Sequence, residues 1–89
     1  MPQPAQYTTI VNATPGQLEA DTWMAMYGHP HPQLRHLQLG YTWACHDVTT
    51  GQTVEGGHTG DEQDATDQAA LALERARDRD AARMLQEQG

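Results

Sequence analysis

The sequence predicts an α+β domain: a small antiparallel β-sheet, with a central β-hairpin at about 36–58, packed against a long C-terminal α-helix at about 61–87, with a short helix at 15–27. Three observations carry this. From His36 to Val48 the large apolar residues Leu37, Leu39, Tyr41, Trp43 and Cys45 fall on every second position, and a period of two puts them all on one face of a strand. Asp47 and Gly51 bracket a stretch with the chemistry of a type I turn closed by a left-handed residue, which makes a hairpin. From Ala65 to Gln88 the chain is dominated by Ala, Leu, Arg, Glu and Gln, all good helix formers.

Taken in order, residues 1–6 hold two prolines and are expected to be a flexible arm, leaving 7–89 as a single domain. Tyr7 to Val11 is rich in β-branched and aromatic residues and reads as a short strand. Thr14-Pro15-Gly16-Gln17 is a helix start, with Thr14 as cap, Pro15 at the first helical position and Gln17 where a capping-box partner belongs. Gly28 supplies the stop. Ala20, Trp23, Met24 and Tyr27 follow helical spacing, whereas Leu18, Ala20, Thr22, Met24 and Met26 also alternate as a strand would; the two end signals decide for helix. His29-Pro30-His31-Pro32 is an extended connector.

The organising strand, His36 to Val48, follows. A four-residue loop, Val48 to Gly51, pairs Asp47 with Gln52, Cys45 with Val54 and Ala44 with Glu55, which keeps Val54 on the apolar face. The second strand, from Gln52 to about Glu55, is expected to stop at Gly56-Gly57. Thr59 is the expected cap of the long helix, with Glu62 reaching back. Asp61, Glu62 and Asp64 suit the positive end of the helix dipole, and Arg77, Arg79 and Arg83 suit the negative end. Ala65, Ala69, Ala72, Leu73 and Ala76 form one face, small enough to let the helix sit close over Tyr41 and Trp43. From about Asp78 the apolar face thins, and the helix end is expected to fray or project.

Composition narrows the function classes. With 89 residues, no Phe and one Ile, the core is small, and association with a second copy is a natural way to enlarge it. A formal net charge of −7 with no Lys disfavours binding to nucleic acid and to anionic membrane surfaces. No apolar run is long enough to span a bilayer, and the N-terminus lacks the basic and apolar regions of a leader, so a cytoplasmic setting is expected.

No catalytic constellation is legible, and the expectation is a non-enzyme. The chain has no Ser, and strand alternation turns Cys45 and His46 to opposite faces. The five histidines do not follow the spacing of a zinc site, so no metal and no cofactor is expected. The residues in excess of what one sheet face can bury are Trp23, Met24, Met26 and Tyr27, types enriched at interaction surfaces. The alternative is that they form a second core layer over Thr42 and Ala44. Arg75, Arg79 and Arg83 recur every fourth residue, and Arg79 and Arg83 are candidates to extend the same contact face toward an acidic partner.

The reading is therefore a small acidic protein-interaction or regulatory module with a protein partner. A homodimer is expected to form through the unpaired strand end, His36 to Gly40, bringing the Trp23–Tyr27 surfaces together. An acidic mimic of nucleic acid and a His-based metal-binding module are the alternatives. Mimicry would weaken steeply with salt, and an apolar face would not.

Overall fold

The computed structural model describes residues 6–88, and the arm expected at 1–6 lies, apart from Gln6, outside the described residues. The elements follow the order β1 (Tyr7–Ala13), α1 (Pro15–Tyr27), a 3-10 turn (Leu34–His36), β2 (Tyr41–Asp47), β3 (Thr53–Thr59) and α2 (Glu62–Gln88). The sheet is antiparallel with strand order β1-β2-β3, so the strand carrying Trp43 and Cys45 is central and paired on both sides.

Alternation sets the two faces. Tyr7, Thr9, Val11 and Ala13 of β1 and Tyr41, Trp43 and Cys45 of β2 turn toward α2. The buried core consists of Trp43, Cys45, Ala65, Ala69, Ala72 and Ala76, with Tyr7, Val11, Tyr41 and Leu73 packed around it. The alanine stripe brings the α2 backbone close enough to cover the indole, whose Nε1 donates to Gln68 Oε1 at 2.9 Å. α2 stays helical to Gln88 and buries Asp80 beyond the expected thinning point; Arg83 pairs with Asp80 at 2.6 Å.

Several expectations are corrected. The organising strand begins at Tyr41, not His36. Gly40 adopts φ 113°, outside the range of a strand, and Leu34–His36 is a 3-10 turn. The hairpin closes as expected, with Asp47 N–H donating to Gln52 O and Gly51 N–H donating to Asp47 O. A bulge then intervenes: His46 faces Thr53, and Cys45 faces Glu55 rather than Val54. The extra residue sends Val54 out to solvent and puts Glu55 on the helix face, where Arg75 grips its carboxylate at 2.7 and 3.3 Å. Both partners are partly exposed, so the pair is worth at most about 1 kcal/mol.

β3 also runs through Gly56-Gly57 instead of stopping there. Gly57 faces Trp43, and a Cβ on it would stand 2.7 Å from the indole Nε1, so the glycine is the room that the ring occupies. Thr59 belongs to β3 and its hydroxyl donates to Asp61 O, so it does not cap α2. The first turn of α2 instead opens with Ala65 N–H donating to Asp61 O.

Candidate functional site

α1 is the element set apart from this core. Its ends form as the sequence specifies. Thr14 Oγ1 accepts the Gln17 N–H at 3.1 Å, and Gly28, at φ 73°, closes the helix with its N–H on Met24 O. The capping box is not completed, because Gln17 Oε1 takes the Gly40 N–H at 2.9 Å instead of reaching back to Thr14. Thr14 N–H donates to Gly40 O and Thr14 Oγ1 to Gln38 O, and the Gly16 backbone lies so close to Gln38 that a Cβ would meet its carbonyl at 2.5 Å. The backbone of residues 38–40 is thus bound to the start of α1 and takes no place in the strand ladder, its one tie to β3 being the His58 side chain on Leu39 O, which is why the alternating Leu37 and Leu39 do not extend β2.

The connector folds back along the helix. His31 lies against Trp23, ring centroids 4.9 Å apart, with a side chain only 9 % exposed. His31 Nδ1 accepts the Gln33 N–H, which leaves the proton on Nε2 to donate to Glu19 Oε1 at 3.2 Å. Tyr27 and His29 complete an aromatic cluster around Trp23. The Trp23 indole N–H is buried with no hydrogen-bond partner among the described residues.

The side of α1 next to this cluster is uncovered. None of its thirteen residues is buried. Leu18 is 57 % exposed, Met26 67 % and Tyr27 54 %. Residues 18, 22 and 26 form one four-spaced ridge, and 19, 23 and 27 form the next. Between them runs a groove of about 320 Å³ lined by Leu18, Glu19, Thr22, Trp23, Met26 and Tyr27.

Of the residues singled out from sequence, Trp23, Met26 and Tyr27 meet at this groove. Met24 is exposed but not among its walls; two positions along a helix is about 200° of rotation, so it points elsewhere. Arg79 and Arg83 are not brought to it at all. α1 leaves β1 at Ala13, beside the start of β2. α2 begins at that same end, and by Arg79 and Arg83 it has crossed to Tyr7, whose hydroxyl feels Asp80, Asp47 and both arginines. The molecule measures 61 Å along its longest axis, and the two clusters lie toward opposite ends of the sheet.

Leu18, Glu19 and Thr22 were missed in the sequence, although the 18-22-26 row was visible there as part of an alternating pattern. The second core layer is overturned as well. α1 does not cover Thr42 and Ala44, and Thr8, Ile10, Asn12, Thr42 and His58 stand exposed on that open face.

The other candidate chemistry is dispersed. His29 Nδ1 donates to Pro30 O, His46 bonds Thr53 and His58 donates to Leu39 O. Among the described residues, no three His, Cys, Asp or Glu side chains converge as a metal would need. Cys45 is fully buried, and burial pushes its thiol above the ordinary 9.0, away from the thiolate a nucleophile requires. No helix among the described residues is long and apolar enough to cross a membrane. No family model, curated protein or solved structure matches the chain.

Proposed function

We propose that the chain is a small, non-enzymatic protein-interaction module in a cytoplasmic setting, and that the grooved side of α1 is its contact surface. The observation that carries the reading is that α1 buries none of its residues while Leu18, Met26 and Tyr27 stand more than half exposed around one groove. A helix of thirteen residues is marginal without tertiary packing, and proteins do not gain by displaying a contiguous apolar row to water. A partner that fills the groove meets both conditions.

The geometry suits a partner helix with its own apolar four-spaced ridge, which would seat between the 18-22-26 and 19-23-27 rows. Charge supports an apolar contact over mimicry of nucleic acid. α1 carries only Glu19 and Asp21, and α2 interleaves Arg75, Arg77, Arg79 and Arg83 with its carboxylates, which breaks up any phosphate-like array.

A photoreactive side chain introduced at Met26, in the chain expressed in its own cells, tests this. The expected result is one discrete protein adduct that Leu18→Asp abolishes while leaving the melting temperature of the chain unchanged. No adduct, or one indifferent to Leu18→Asp, would contradict the reading.

A further inference from the structure

We infer that the outer edge of β1 pairs antiparallel with the same edge of a second copy, across a two-fold axis at Ile10, to make one six-stranded sheet. The observation is an asymmetry between the two edges of the sheet. The β3 edge is defended by the devices that discourage pairing: the bulge at Val54, the Gly56-Gly57 pair and the Glu55 carboxylate held by Arg75. The β1 edge has none of them. Tyr7–Ala13 contains no charged residue and no proline, and Thr8, Thr9, Ile10 and Val11 are all β-branched. It runs in unbroken register with β2 over all seven residues. Its outward N–H and C=O groups form a straight template for one more strand.

The self-complementary register of the strip points to a second copy as the occupant. Each chain carries −7, so two copies approach most easily through a strip without charge, and β1 is such a strip. The Ile10-centred register sets Tyr7 beside Ala13, Thr8 beside Asn12 and Thr9 beside Val11, so odd residues meet odd and both α2 helices lie on one face. The half-buried Tyr7 meets the smallest side chain of the strand. On the open face Ile10, 44 % exposed, meets its own copy between two Thr8–Asn12 pairs that can hydrogen-bond. This assembly differs from the one expected from sequence. His36–Gly40 is not a strand, and α1 follows β1 at Ala13, so the two copies of α1 leave from opposite ends of the joined strands and are not needed to make the contact. The inference therefore stands or falls independently of the role of α1.

The test is the solution mass of the full chain at micromolar concentration. Twice the 9.8 kDa of one chain is expected, and Ile10→Lys, which sets two like charges face to face on an exposed position, should return it to 9.8 kDa with the β-sheet signal intact. Ile10→Cys supplies a second readout, since directly opposed residues lie near disulfide reach. Under mild oxidation it should link two copies, whereas Thr42→Cys, exposed on the same face but in the central strand, should not. A monomeric wild-type chain, a dimer that survives Ile10→Lys or is lost instead with Leu18→Asp, or equal linking at positions 10 and 42, would each overturn the inference.

Discussion

Replacing Trp43 by alanine is expected to abolish the cooperative unfolding transition. Trp43 is 6 % exposed at the centre of the middle strand, and among the described residues it is the one large side chain in a buried core otherwise made of Cys45 and four alanines. The alanines are small because the indole is large, so no neighbour can expand into the space it leaves. Truncating a buried Trp costs about 3–5 kcal/mol, and Gln68 Oε1 also loses its donor. A domain this small has a total stability toward the low end of about 5–15 kcal/mol, so the loss removes most of it. Urea titration followed by circular dichroism checks this. A sharp transition within about 1 kcal/mol of wild type would show that the α2–sheet contact is not what holds the fold together.

The next largest effect is expected at Gly40, where the joint between α1 and the sheet is made. At φ 113° an L-residue is strained by about 1–3 kcal/mol before any contact is considered. A Cβ there would also stand 2.4 Å from Thr59 O and 2.7 Å from His58 Nε2, and the first of these is backbone and cannot swing away. Both polar groups of Gly40 are tied to α1, through Thr14 N–H and Gln17 Oε1. Gly40→Ala should therefore destabilise by roughly 3 kcal/mol, at the upper end of such strain. Gly51→Ala is the control: its φ is 75°, but nothing lies within 4 Å of the new Cβ, so the cost should be only about 1 kcal/mol. Equal melting temperatures for the two variants would contradict the close approach at Gly40.

What was legible in the sequence followed from long or doubly signalled segments. The stripe from Ala65 to Ala76 repeats over several turns and cannot be mistaken for another period. α1 was bracketed by Thr14 and Gly28, and those caps formed. The hairpin turn was carried by Asp47, whose Oδ1 accepts the Thr49 N–H, and by Gly51. What was not legible depended on contacts distant in sequence. Leu37 and Leu39 continue the alternation of β2 by coincidence, because their segment is held by Thr14, Gly16, Gln17 and the His58 side chain and not by a strand ladder. Gly56-Gly57 looked like a stop, and only the position of the Trp43 ring shows why glycine is needed inside β3. The bulge at Val54 shifts one residue and so exchanges Val54 for Glu55 on the helix face, which no periodicity announces.

The candidate site divides in the same way. Trp23, Met26 and Tyr27 were recognisable as surplus apolar residues. Periodicity gives the face of a helix but not its position relative to the sheet, so neither the separation of Arg79 and Arg83 from α1 nor the part played by Leu18 could be read in advance.

α1 stands apart from the core and buries none of its residues, and the proposed function needs its grooved side to be free for a partner. Amide hydrogen exchange of the chain alone, resolved by residue, tests it most directly. The amides of α1 are expected to exchange by a local opening far easier than global unfolding, while those of β2 and of α2 from Ala69 to Ala76 exchange only when the whole domain unfolds. Protection in α1 equal to that of β2 would mean that the helix unfolds with the core and does not stand apart from it.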